Sequence, residues 1–365
     1  MGDGSASQPL VAIPTRTAPC NPISLSDWDP GRVPLHAMRV WPRRTILQGL
    51  GYAALGLRCA ETRRTGPRRP AAWGVAGLGR PEALAVADGD IFVLDRGSRG
   101  ITAASLVRVS HAEVEGLGRA VVAEPLGITE FGIEGGTAYW ITGHGQNLRA
   151  AGVTRPELPR DVSPEHGGWR GPFAVMNGVV LACRGPNRAL MAVTGQGVVR
   201  ELDPGPVEAL CGAGGTVVYA RGGSIRVIDR IDGPARVLCP AGGTVGPMAL
   251  RAGTVYWAVP NQPSGGLTGS LHRAPVAGGS GQVLATGLHD PRAMAVGPQR
   301  VWYAGAHVTP DARVEVLGSV AVAGGAGRYA ESPVEVTGLA CDGDWLYLVG
   351  TTRRAVAGVL RRRPA

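Results

Sequence analysis

The chain of 365 residues contains no lysine; all 37 of its basic residues are arginines. Complete lysine avoidance beside abundant Ala, Gly and Val reads as a compositional bias toward GC-rich coding. It therefore discounts the formal charge of +9 as evidence for a nucleic-acid partner. Part of the excess lies at Arg39, Arg43, Arg44, Arg58, Arg63, Arg64, Arg68 and Arg69 and at the terminal Arg361 to Arg363. No basic stripe is interleaved with aromatics, as a single-strand groove requires, and no nucleic-acid partner is expected. No long stretch repeats apolar residues at i, i+3, i+4 and i+7, which argues against amphipathic helices. The run Ile46 to Leu57 falls short of the ~20 residues a spanning helix needs, so no stable membrane span is expected in the mature protein. The six cysteines, Cys20, Cys59, Cys183, Cys211, Cys239 and Cys341, form no CxxC and no Cys/His ligand spacing. At least four fall in predicted strands, where free cysteine behaves as a small apolar residue. G-x-S-x-G, H-E-x-x-H and P-loop sequences are missing, and no cofactor motif is visible; a divalent metal is left open.

What the chain has in quantity is Gly (57) and Pro (29), residues that punctuate turns and spoil helix interiors. They mark a repeat. Its units are PEALAVADGDIFVLD from Pro81, GITEFGIEGGTAYWITG from Gly127, PFAVMNGVVLACRG from Pro172 and PVEALCGAGGTVVYARG from Pro206. PMALRAGTVYWAVP from Pro247, PRAMAVGPQRVWYAG from Pro291 and PVEVTGLACDGDWLYLVG from Pro333 complete the set. Each reads as a strand, a tight turn and a second strand, with the turn at Gly89, Gly135, Gly178, Gly215, Gly253, Gly297 and Gly343. Asp88-Gly89, Asn177-Gly178 and Asp342-Gly343 are the sharpest hairpin signals. Third and fourth strands follow, such as SIRVID from Ser224 and RVLCP from Arg236.

Four short antiparallel strands every ~40 residues is the pattern of a β-propeller blade, whose apolar faces are buried only when blades stack in a ring. The expected fold is all-β: a seven-bladed propeller over residues 71–365, with AAWGVAGL (71–78) supplying the strand missing from the last blade. An open six-blade count with an extra hairpin is the alternative. TVYWAV, TAYWIT and LHRAPVAGGSGQVLATGLHDPRAMAV resemble the YWTD/NHL-type family of secreted or periplasmic propellers. The resemblance is at the level of repeats and implies fold more than activity.

Arg43-Arg44-Thr45-Ile46-Leu47-Gln48 resembles the twin-arginine translocation motif, with a short Gly- and Ala-rich apolar run behind it. This implies export to the periplasm, the cell envelope or the medium. Residues 38–70 read as signal and linker, and residues 1–37 as a leader or as sequence upstream of a start at Met38. Cys59 makes a poor lipidation site because Arg58 stands where a small residue belongs.

Function is sought on the face carrying the 2→3 and 4→1 connections, since loops on a rigid scaffold host binding. The ligand-face candidates are His144, Arg184, Arg188, Arg221, His289, Asp290 and His307. The histidines suit a metal or a general base, and the arginines an anion-binding rim. His289-Asp290-Pro291 also reads as a plain turn, and Asp88/Asp90 and Asp342/Asp344 as hairpin turns rather than calcium loops. Trp140, Trp257, Trp302 and Trp345 are assigned to packing. Few carboxylates are expected at the channel mouth. The leading reading is therefore an exported, monomeric, non-catalytic propeller that binds a protein, glycan or small molecule. A propeller enzyme of the gluconolactonase or streptogramin-lyase kind, a metal-assisted hydrolase or lyase, is the alternative.

Overall fold

The computed structural model describes residues 17–18, 73–97, 104–110, 119–143, 147–154, 157–164, 166–260, 269–308, 313–332, 334–352 and 358–364. The twin-arginine motif at Arg43 and Arg44 and the cysteine at Cys59 lie outside them, as does His144. Every described element is a strand, and no helix is long and apolar enough to cross a membrane among the described residues.

The strands form antiparallel sheets in chain order. Sheet 1 runs from Pro81–Ala87 to Arg119–Glu124, sheet 2 from Ile128–Glu134 to Arg160–Asp161, and sheet 3 from Trp169–Met176 to Val199–Asp203. Sheet 4 runs from Ala209–Ala213 to Arg236–Pro240, sheet 5 from Met248–Arg251 to Gln282–Asp290, and sheet 6 from Ala293–Val296 to Arg328–Glu331. Sheet 7 comprises Val334–Asp342, Trp345–Thr352, Gly358–Pro364 and, at its edge, Trp73–Leu78, whose Val75 lies opposite Leu360. The first strand of each sheet contacts the first strand of the next, and that of sheet 7 returns to Pro81–Ala87, so first strands are innermost. The fold is a propeller of four-stranded antiparallel blades.

The expectation of seven four-stranded blades is corrected: four-stranded blades number six, the count of the alternative. Six sheets have four strands, but sheet 5 has five, the extra one being Thr17–Ala18. The reason is an overhang. Gln282–Asp290 pairs with its inner neighbour only as far as Leu288, opposite Gly269, and runs on past that partner. Unpaired edge groups template another strand, and Thr17 and Ala18 lie opposite Asp290 and His289.

The hairpins follow from turn chemistry. Asp88 and Gly89 hold φ of 53° and 76°, and Asn177 and Gly178 hold 51° and 70°, the left-handed pair a two-residue hairpin needs. The core lies between blades rather than inside one. Phe92, Leu94 and Leu106 of sheet 1 pack on Phe131, Ile133 and Trp140 of sheet 2, and equivalent clusters join the later pairs.

Polar clamps tie neighbouring blades, two of them through tryptophans assigned to packing. Buried Trp140 donates its Nε1–H to Glu124, the last strand residue of the preceding sheet, at 3.2 Å. Tyr219 donates its hydroxyl to Asp203 at 2.7 Å, and Trp257 donates Nε1–H to the Ala241 carbonyl at 2.9 Å. On the opposite rim, Glu134 accepts the backbone N–H groups of Asn177 and Gly178 at 2.6 and 2.7 Å. Such contacts satisfy groups that would be costly to bury unpaired.

The four described cysteines, Cys183, Cys211, Cys239 and Cys341, are free and buried. Burial pushes the thiols of Cys183 and Cys341 up to about 12, which leaves both protonated and inert.

Candidate functional site at the channel mouth

Antiparallel pairing sets which chain ends share a rim. Pro81 lies opposite Asp95, Asp95 opposite Ser105, and Ala104 opposite Glu124. The starts of the innermost strands therefore meet the 2→3 connections at one end of the ring. Four glutamates sit at those starts: Glu82, Glu130, Glu208 and Glu335. The expected scarcity of carboxylates at the channel mouth is thus corrected. The glutamates belong to the first strands or adjoin them, whereas the loops around them are rich in arginine.

Three consecutive sheets build one charged cluster. Arg96, just past the second strand of sheet 1, places Nε 2.5 Å from Glu82 Oε2. Glu130, on the first strand of sheet 2, reaches across to sheet 3, where a Cβ on Gly171 would lie only 2.4 Å from its Oε1. Arg188 donates from Nη2 to the Gly171 carbonyl at 3.1 Å. Gly171 is thus the common contact of a carboxyl and a guanidinium, and it leaves the space that the carboxyl occupies. Arg188 is held there by its backbone: its N–H bonds to the Gly185 carbonyl at 3.2 Å, its carbonyl accepts from Val207 at 3.3 Å, and its φ is 51°.

Burial pushes the Glu130 carboxyl up to about 7; Arg96 and Arg188 oppose the shift and Glu82 adds to it. Glu130 is half-buried and accepts no hydrogen bond from the described residues, while Arg188 Nε is buried without a partner. The cluster therefore combines a carboxyl that titrates near neutrality with a guanidinium that has donors to spare.

A second cluster joins sheets 5, 6 and 7. Arg292 is 8 % exposed and donates to Glu335 at 3.0 Å, to Glu315 at 3.3 Å and to Asp290 at 3.3 Å. Arg313 donates to the other oxygen of Glu315 at 3.0 Å. Here the cation is enclosed by acids and its charge is spent on them. Among the described residues no group of three or more His, Cys, Asp and Glu is arranged to hold a metal ion.

The described candidates read from sequence are spread over sheets 3 to 6. Arg188 joins the first cluster, and Asp290 is buried in the second with a φ of 59°. Arg221 is tied to Asp203 by an ion pair. Arg184 lies over the Trp169 ring, 5.3 Å from its centroid, beside a shallow depression of about 370 Å³ bounded by Gly168, Met191 and Glu201. His307 is half-buried in the second strand of sheet 6 opposite Val314, and His289 lies in the last strand of sheet 5. The side chains of His289 and His144 lie outside the described residues. Asp90, from the turn weighed as a calcium loop, accepts from Arg108 Nε at 2.7 Å. Glu130 was legible as a charged residue inside the apolar strand Ile128–Glu134, not in a loop.

No protein-family model matches the chain, and no curated protein matches it. Solved structures are. Virginiamycin B lyase from Staphylococcus aureus, in a catalytically inactive form with quinupristin, superposes with a TM-score of 0.55 at 10 % identity, over 80 % of this chain and all of that one. A streptogramin B lyase gives 0.52 at 11 % identity, over 80 % of this chain and 98 % of the other. Puromycin hydrolase gives 0.55 at 16 % identity over 78 % of this chain, which spans about half, 53 %, of that enzyme. The chain is a β-propeller. At these identities the likeness concerns fold alone, and the site must be read from its own residues.

Proposed function

We propose that this propeller is an exported, monomeric binding protein that takes a small molecule at the channel mouth. The observation that carries the reading is the cluster of Arg96, Glu130 and Arg188, drawn from three sheets onto the innermost strands and the loops beside them. A glycan or protein surface is the less favoured ligand, because groups at the ring's centre are reached by a small ligand more readily than by a broad, flat surface. Taking the five-stranded sheet as a blade gives the ring seven blades, and export follows from the paired Arg43 and Arg44. Thermal-shift screening of the purified protein against small metabolites tests the binding reading. Hits should disappear in Arg188→Ala and persist in Arg184→Ala, whose guanidinium lies over Trp169. Equal loss in both variants, or in neither, refutes the channel mouth as the site.

One feature supports a catalytic alternative. A carboxyl titrating near pH 7 suits general acid–base work, and hydrolase and lyase propellers share the fold. Loss of turnover in Glu130→Gln, with ligand affinity preserved, would favour that reading.

A further inference from the structure

Resting on the channel mouth as the binding site, we propose that its ligand carries a carboxylate, which pairs with Arg188 while Glu130, in its protonated form, donates a hydrogen bond to the same group. The charges around the site point this way. Arg96 is already matched by Glu82, its Nε 2.5 Å from the carboxylate. Among the described residues Arg188 donates to the Gly171 carbonyl, a neutral acceptor, and its buried Nε has no partner. On the adjoining strand Glu130 is its anionic neighbour, and that carboxyl rests where a Gly171 side chain would be. When Glu130 takes up a proton, the guanidinium is left uncompensated and an O–H donor appears beside it. A carboxylate fills that combination, because its two oxygens accept from the fork and from the acid together. A neutral amide gains less from the guanidinium charge.

The proton comes from solvent: free Glu130, partly ionised, binds one proton as the ligand carboxylate arrives, and no covalent bond changes. The groups within electrostatic reach of Glu130 are Glu82 and Arg96 from sheet 1 and Arg188 and Cys183 from sheet 3, and Arg170 acts in turn on Cys183. The Cys183 thiol stays protonated throughout and the arginines stay charged, so Glu130 is the group that moves the proton near neutrality.

The test is isothermal titration of the full chain with succinate, with succinamide as uncharged control, in two buffers of different ionisation heat. With a free Glu130 value of about 7, succinate should bind with uptake of about half a proton at pH 7. Its affinity should fall about tenfold per pH unit above that. Glu130→Gln keeps a donor but no titration, so it should bind succinate without proton uptake and with a flat profile. Gly171→Ala, which displaces the Glu130 carboxyl, should weaken binding at least tenfold while its melting temperature stays near that of the parent. Binding of succinate without proton linkage, or a pH slope retained in Glu130→Gln, overturns the proton-coupled assignment. Equal binding of succinamide, or no binding of succinate, overturns the carboxylate. If another small molecule still binds in an Arg188-dependent manner, the channel-mouth reading stands without this inference; if none does, both fall.

Discussion

Removing the Asp203 carboxylate should loosen the joint between sheets 3 and 4. This side chain, 4 % exposed, accepts from the Gly205 N–H at 2.9 Å and the Tyr219 hydroxyl at 2.7 Å, pairs with Arg221, and lies 3.6 Å from Arg226. Asp203→Ala strands the Tyr219 hydroxyl, which is wholly buried, at a cost of about 1–3 kcal/mol. Breaking a fully buried ion pair costs about 3–5 kcal/mol, but Arg221 and Arg226 are 27 % and 31 % exposed and can turn to water, which reduces that contribution to about 1 kcal/mol. Together they give about 3 kcal/mol. At about 2–4 °C per kcal/mol for a large domain, the melting midpoint should fall by about 6–12 °C. The assay is thermal denaturation followed by circular dichroism, with Asp203→Asn and Tyr219→Phe alongside. The asparagine keeps one acceptor, Oδ1 for the Gly205 N–H, and its amide N–H can donate to the Tyr219 hydroxyl instead, so it should lose less than half as much. Tyr219→Phe deletes the hydroxyl with its need for a partner, so it should cost about 1 kcal/mol. In the double variant the two losses should not add, since the stranded hydroxyl is gone. Full additivity, or a midpoint for Asp203→Ala within about 1 °C of the parent, would refute the clamp.

Further outcomes follow from the buried titratable groups. The Glu130 carboxyl is raised from its ordinary value, about 4.3, to about 7, so the folded chain holds a proton there that the unfolded chain has released. Wild-type stability should therefore fall, relative to Glu130→Gln, as pH rises across that interval, as measured by urea midpoints from pH 4 to 8. His272 shifts the other way: it stacks on Trp257 at 5.3 Å with Ser270 Oγ 2.6 Å from Nε2, and burial lowers its value below the usual histidine range. The unfolded chain then binds the extra proton, and stability should fall on acidification below about pH 6.5, less steeply in His272→Phe. If both variants keep the parent's slope, these groups are not desolvated. With Cys20 and Cys59 changed to serine, the remaining thiols should resist Ellman's reagent in the native state and all react in denaturant, because each is buried. Rapid native labelling would contradict that packing.

The local plan was legible because it depends on neighbours in the chain. Asn177-Gly178 and Asp88-Gly89 make their hairpins through backbone conformations that few other pairs accept, and apolar residues at both ends of each turn mark the strands. The strand AAWGVAGL was readable as the missing partner of the last blade, and Trp73–Leu78 pairs with Gly358–Pro364. The sequence carries another regularity. Glu124 and Trp140, Asp203 and Tyr219, and Ala241 and Trp257 are each 16 residues apart, the span from the end of one blade to the second strand of the next. That constant spacing records how far the chain must travel before it can clamp its predecessor.

The amino-acid sequence by itself determined the repeat, the turns, the all-β class and the apolar faces that force blades to stack, since each rests on periodicity within ~40 residues. Only the tertiary structure decided that Glu130 meets Arg96 and Arg188, that Arg292 is spent among Asp290, Glu315 and Glu335, and that one sheet takes a fifth strand. Those encounters depend on the stagger between blades and on where strand ends overhang. Such quantities are fixed when the ring packs, and a repeat pattern, which is the same in every blade, does not carry them.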